Sequence, residues 1–189
     1  MWFGSIGLRK PNSIRHNGKR VSEILDAHER FFRREPDGVR ADLSGAELSR
    51  ADLTGANLTD AILKGARLEG ADLRRSKLTR ADFSGANLRK ADLRSTDMTE
   101  AVLPGADLTE AQVSGVELFR CDMTGVVFRH ANLRNANFRN ARVQGADFTG
   151  ADMNVTILRE TDLTGVDLSG VDLTTTLMPR NYAPALEKK

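Results

Sequence analysis

Asp52, Asp72 and Asp92 stand 20 residues apart, and carboxylates brought together at such a spacing are the usual material of general acid–base catalysis. The other reactive side chains are few. His16, His28 and His130 share no spacing that a metal needs, and Cys121 alone makes no zinc site. Glycines also recur at a period of 20, but no helix start follows them as a phosphate-binding loop requires. Catalysis by paired carboxylates needs a concave, water-excluding pocket. The elements that carry these residues decide whether there is one.

Those elements are repeats. From Ala41-Asp42-Leu43-Ser44-Gly45 to Met178 the chain repeats every five residues without insertion or deletion, in 28 units. The central residue, Leu43 in the first unit, is Leu in 18 units and otherwise Phe, Met or Val. Two residues before it stands Ala in 18 units, and between them Asp or Asn in 17.

The last residue of each unit shows a longer period. Gly45, Gly65, Gly85, Gly105, Gly125, Gly145 and Gly165 fill one phase of 20 completely, whereas the phase from Asp60 to Glu160 has no glycine. Four consecutive units therefore differ in surroundings and the fifth repeats the first, so the chain winds with four sides. In extended backbone alternate side chains face opposite ways. Ala41 and Leu43 point inward, Asp42 points outward, and Ser44-Gly45 turns the corner. Like residues then stack inside, Leu43 over Leu63 over Phe83, and Phe128 over Phe148. The glycine corners are expected to be type II turns, whose second central residue has positive φ, and the glycine-free corner is expected to turn otherwise. Stacked along a convex, solvated wall, Asp52, Asp72 and Asp92 lack a pocket, so no catalytic, metal or cofactor site is expected and the chain reads as no enzyme.

The A-(D/N)-L-x-x pattern over 41–178 resembles the pentapeptide-repeat family. The resemblance implies an all-β solenoid: a right-handed quadrilateral β-helix with one pentapeptide per side and about seven coils. It also implies an N-terminal capping α-helix, pairing into a homodimer through the C-terminal end, and, for members that resemble duplex DNA in shape and charge, binding to DNA gyrase or topoisomerase IV.

The flanks are read as three segments: a basic N-terminal arm or surface strap at 1–20, a capping helix and lead-in at 21–40, and a tail at 179–189. Val21, Ile24, Leu25, His28, Phe31 and Phe32 have the three- and four-residue spacing of an amphipathic helix, which Pro36-Asp37-Gly38 ends. Its expected work is to cover the first coil's unpaired backbone edge. The tail holds Pro179, Tyr182, Pro184 and Leu186 and lacks a long helix for dimerisation. No apolar run is long enough to span a membrane, no secretory signal is evident, and the single cysteine fits a reducing cytoplasm.

Charge bears on partners. The repeat carries 16 basic and 20 acidic side chains, a weak imbalance for a mimic of DNA. Direct nucleic-acid binding is not expected, since the basic groups alternate with carboxylates and lack stacking aromatics. Phe119 breaks the polar rule at the corners, in a column otherwise reading Thr59, Thr79, Thr99, Arg139 and Arg159. With Arg120 and Arg139 beside it, and Arg74, Arg94 and Arg134 on the neighbouring corner, it has the composition of a binding hot spot. The expected function is a non-enzymatic protein-interaction module, a rigid rod docking a wall or end on a partner protein. The alternative is a DNA-mimicking modulator of gyrase or topoisomerase IV.

Overall fold

From Asp42 to Asp147 each outward residue at the middle of a side forms a one-residue parallel bridge with its counterpart 20 positions on, beginning with Asp42 to Ile62, Glu47 to Arg67, Asp52 to Asp72 and Asn57 to Lys77. These four residues define the first, second, third and fourth sides. The computed structural model describes residues 7–180 and 182. Over 41–178 it is the right-handed, four-sided β-helix of about seven coils that the repeat implied.

One unit shows how a coil is held. Leu63 N–H donates to Asp82 O at 2.7 Å and Gly65 N–H to Ser84 O at 2.9 Å in the next coil, while Ile62 N–H reaches back to Ala41 O at 3.0 Å. Ala66 N–H closes the corner on Leu63 O at 3.0 Å. Backbone polar groups are thus satisfied between coils, which is what permits a dry interior. The preference for Asp or Asn at the outward position has a local cause. Asp82 Oδ1 accepts the Ser84 N–H at 3.0 Å and Asn87 Oδ1 the Arg89 N–H at 3.1 Å, the two-residue side-chain turn these types favour.

The interior is continuous. Leu43, Leu63 and Phe83 have no exposure, and Ala91 is fully buried. Phe128 stacks on Phe148 with ring centroids 5.1 Å apart, and Phe138 meets both edge-on. Where an inward Ala is replaced by a polar residue, the side chain donates to a central carbonyl, three residues back for Ser76 and Thr96 and in the coil before for Cys121 and Thr156. Cys121 Sγ donates to Met98 O at 2.9 Å and Thr156 Oγ1 to Leu133 O at 2.8 Å.

The corners correct one expectation. The fifth residue of every unit from Gly45 to Gly170 has positive φ, between +55° and +71°. The glycine-free corner is no exception, with Asp60 at +59°, Arg80 at +55°, Glu100 at +60°, Arg120 at +57° and Glu160 at +62°. A left-handed L-residue costs about 1–2 kcal/mol, more than the roughly 0–1 kcal/mol of an exposed ion pair. The coil-to-coil ladder therefore imposes the conformation, as in the bond from Asp60 N–H to Thr79 O at 2.9 Å. A Cβ at Gly45 or Gly165 would meet nothing within 4 Å, so glycine there relieves strain and does not make room.

Ahead of the coils, the first repeat is covered from two directions. Arg9 occupies the place of an inward residue in a coil above: its N–H donates to Arg50 O at 2.7 Å and its carbonyl accepts the Asp52 N–H at 2.8 Å. Lys10 pairs with Asp52. The basic arm is thus a strap where it is described; residues 1–6 lie outside the described residues. It continues through a hairpin, β1 (Arg15–His16) and β2 (Lys19–Arg20), turned by Asn17-Gly18 with both φ positive. Helix α1 (Val21–Phe32) follows, its start closed by the Arg20 N–H donating to Glu23 Oε2 at 2.8 Å.

Helix α1 buries Val21 and His28 and packs Ile24 and Leu25 against the core. Phe31 and Phe32 remain 43% and 37% exposed, flanking the His28 ring. The lead-in presses so closely that a Cβ at Gly38 would lie 2.5 Å from Phe31 N. His28 ties helix to coil: its Nδ1 accepts the Ala41 N–H at 2.9 Å, so the ring is neutral. At the other end the last coil is thinly covered, with Leu163, Leu168, Leu173 and Met178 half-buried and Leu177 39% exposed.

Two measurements check this packing. Ala91→Phe overfills a closed interior and lowers stability by at least about 1–3 kcal/mol, read as a fall in urea midpoint; an unchanged midpoint contradicts the inward placement. Burial holds the His28 pKa below its ordinary 6.5, against the opposing pull of the Thr59 backbone, Glu29 and Asp60. The unfolded chain then binds the proton more readily, so stability present above pH 6.5 is lost as pH falls below it. The slope of stability against pH in that window is expected to flatten in His28→Gln.

Candidate interaction surface

The residues singled out by sequence flank one wall, the fourth side. Its outward positions are Asn57, Lys77, Asp97, Glu117, Asn137, Ile157 and Leu177. The corner entering it carries Arg74, Arg94 and Arg134; the corner leaving it carries Phe119, Arg120 and Arg139. The two groups are brought to the two edges of one wall and not into one cluster.

On the entering corner Arg74, Arg94 and Arg134 are each occupied. Arg74 forks onto Asp72 through Nε at 2.9 Å and Nη2 at 2.6 Å, and Arg94 does the same to Asp92 at 2.9 and 2.6 Å. Arg134 Nη1 reaches Asp152 Oδ2 at 3.1 Å. Burial pushes the Asp72 carboxyl up, but the Arg74 guanidinium and backbone N–H outweigh it and hold the pKa below the usual carboxylate value. Asp52 is likewise held down, chiefly by Lys10. The stacked carboxylates are counter-ions to arginine and lysine and anchors of their corners.

The leaving corner is different. Phe119 keeps register, its carbonyl accepting the Glu100 N–H at 2.9 Å, and its ring is half-buried where sequence placed it exposed. The cover is Arg120, whose guanidinium carbon lies 4.8 Å from the ring centroid, and not Arg139. Arg120 also reaches Glu100 at 3.8 Å, and Arg139 reaches Glu160 at 3.7 Å. The column beside Phe119 alternates in sign: Asp60, Arg80, Glu100, Arg120, then Asn140 and Glu160. Arg80 forks onto Asp60 at 2.7 and 2.8 Å, and Asn140 donates to Glu160 at 3.1 Å.

Two features went unread in the sequence. Along the fourth side the outward positions turn apolar at Ile157 and Leu177, which are bridge partners, with Val155 51% exposed at the corner before them. The signal was the pattern itself, since Asn57 to Asn137 are all polar. Second, a cleft of about 860 Å³ opens at the C-terminal end, lined by Arg159, Thr161, Leu163, Arg180 and Tyr182 among others. Tyr182 folds back onto this cleft; Ala185 and Leu186 lie outside the described residues.

Burial pushes the Cys121 thiol up to about 12, which leaves it protonated. Among the described residues no group of three or more His, Cys, Asp or Glu is placed to hold a metal ion, and no helix is long and apolar enough to cross a membrane.

Comparison with known proteins bears on the family. A profile for pentapeptide repeats, in 8 copies, matches residues 39–75 and 76–115, and one for a pentapeptide repeat region matches 98–168. No curated protein matches the chain. Among solved structures, HetL, a pentapeptide repeat protein involved in heterocyst differentiation regulation from the cyanobacterium Nostoc sp., is 24% identical, covering 76% of this chain and 91% of HetL with TM-score 0.44. Full-length QnrB1, a plasmid-mediated fluoroquinolone resistance protein, is 22% identical, covering 75% and 80% with TM-score 0.35. A pentapeptide repeat protein from the Arabidopsis thaliana thylakoid lumen is 30% identical, covering 60% and 66% with TM-score 0.36. At these TM-scores none of the three bears on what this chain binds. The matched profiles run from residue 39 to residue 168, more than half of its length, and the chain belongs to the pentapeptide-repeat family.

Proposed function

We propose that this chain is a non-enzymatic protein-interaction module of the cytoplasm, a stiff rod that docks its fourth side on a partner protein. The observation that supports it is the corner at Phe119. An aromatic ring stands where the column otherwise reads Thr or Arg, and Arg120 lies over it at 4.8 Å. Aromatic and arginine side chains dominate binding energy at interfaces. The backbone beneath is held by the inter-coil ladder, so little conformational freedom is lost on docking.

Mimicry of DNA toward gyrase or topoisomerase IV is the weaker reading. It calls for a broad negative field, whereas Asp52, Asp72, Asp92 and Asp152 on the third side are paired with Lys10, Arg74, Arg94 and Arg134. Such a mosaic suits a partner with charges of both signs.

The test uses the full chain immobilised for capture, with retained proteins identified and gyrase sought among them. Phe119→Ser is expected to weaken retention of a captured partner by about 2 kcal/mol or more. Arg94→Glu with Arg134→Glu is expected to weaken it as well, each variant first shown to melt like the parent. Equal retention by both variants places the binding wall elsewhere.

A further inference from the structure

We propose that α1 is an acid-released cap: a proton taken up by His28 breaks the hydrogen bond that holds the helix to the repeat, and the helix lifts from the first coil while the coils stay wound. The inference concerns the N-terminal end and is independent of the fourth-side reading. Three observations meet at His28.

The first is the place that the ring fills. Later units close their corners through an N–H to the central carbonyl before, Ala46 to Leu43 O at 3.0 Å and Ala51 to Leu48 O at 2.9 Å. Ala41 begins the series, and its N–H goes instead to His28 Nδ1 at 2.9 Å. An imidazole nitrogen takes the role of a carbonyl, and unlike a carbonyl it binds a proton near neutral pH. With Nδ1 accepting, Nε2 carries the hydrogen of the neutral ring, so an incoming proton lands on Nδ1. A donor then faces a donor, and the bond is lost.

The second is that little else of this kind fastens the helix. Among the described residues no other hydrogen bond and no ion pair joins Val21–Phe32 to the repeat. What remains is the apolar contact of Val21, Ile24 and Leu25. The coils, by contrast, are bonded to one another along every side, as Leu63 N–H is to Asp82 O at 2.7 Å. The cap is the unit that can open by itself.

The third is that the ring is sealed. His28 has no exposure, and Phe31 and Phe32 flank it. Its Nε2 is buried and makes no hydrogen bond among the described residues, although the Thr59 carbonyl faces the ring. The charged groups that face it are Glu29 on α1, Arg40 on the lead-in and Asp60 on the first coil. Asp60 is already forked by Arg80, and Arg40 Nε donates to the Asp60 carbonyl at 2.5 Å. Of the other elements packed on α1, the turn Pro11–Ser13 has no charge and β2 brings two cations, Lys19 and Arg20. An imidazolium held here is desolvated and poorly paired, and opening the cap returns it to water.

The sign follows. Burial outweighs the pull of Thr59, Glu29 and Asp60 and holds the folded-state pKa below 6.5. The cap's stability is whole above pH 6.5 and is lost as pH falls below it. Opening bares the apolar first coil from Leu43 onward, with a backbone edge that nothing precedes.

The experiment is hydrogen exchange of the full chain, read segment by segment and corrected for the intrinsic rate at each pH. Between about pH 7.5 and about pH 5.5, protection over 21–41 is expected to fall by up to about tenfold, the limit for one proton taken up at an ordinary histidine pKa. Protection over 61–140 is expected to hold. His28→Asn sets an oxygen near the place of Nδ1, where it accepts the Ala41 N–H and does not titrate. It is expected to keep the cap closed and remove the pH dependence, whereas His16→Asn, on the hairpin, keeps the parent's dependence. The proposal is overturned if the coils loosen together with the cap, if 21–41 stays protected at the lower pH, or if His28→Asn responds like the parent. Should His28→Asn leave the cap open at both values, the parent's own ring decides by NMR. An imidazole that titrates at 6.5 or above overturns the proposal, and one that titrates below 6.5 in step with the loss of protection supports it.

Discussion

Each coil is bonded only to the coils one turn above and below it, and the whole rod depends on that ladder staying in register. A slip of one residue would carry Leu centres to the solvent and Asp to the interior. The same ladder accounts for features that look separate. It sets the left-handed corners at Arg, Asp, Glu and Val as well as at Gly. It lets Phe119 sit at a corner without disturbing its neighbours, because its carbonyl still accepts the Glu100 N–H. It also explains why both ends need attention, since a ladder has partners everywhere except at its first and last rungs.

The two ends meet that need differently. At the first coil Arg9 supplies a rung, the β1–β2 hairpin and α1 close over the apolar residues, and His28 accepts the Ala41 N–H. At the last coil the central residues are only half-buried among the described residues. Among the described residues the cover at the two ends is unequal.

Sides, core and cap were legible because each is written in a period. The five-residue spacing names the inward residues, the glycine phase of 20 counts the sides, and the three–four spacing from Val21 to Phe32 gives the helix. What escaped was set by contacts that periods do not encode. Asn17-Gly18 signals a hairpin, yet nothing nearby says that the strap before it pairs with Asp52. The glycine column suggested that positive φ belongs to glycine, but the ladder forces it on Asp60 and Glu100 too. Phe119 was placed at its corner correctly, while its cover depends on which arginine turns toward it. The cleft depends on where the chain leaves the coil after Met178, and of its arginines only Arg139 and Arg159 stand out in the sequence, as part of a column.

The corner that runs from Asp60 to Arg120 changes sign at every coil: Asp60, Arg80, Glu100, Arg120. The hydrophobic pattern repeats with each coil, but this edge repeats only with every second one. Removing residues 81–100 would leave every Ala, Leu and corner in place and yet set Arg80 directly against Arg120. Like charges facing each other on adjacent strands are unfavourable. Removing 61–100 instead would place Asp60 against Arg120 and preserve the pairing. In this part of the rod the permitted change of length is a pair of coils, a rule carried by the surface and invisible to the core.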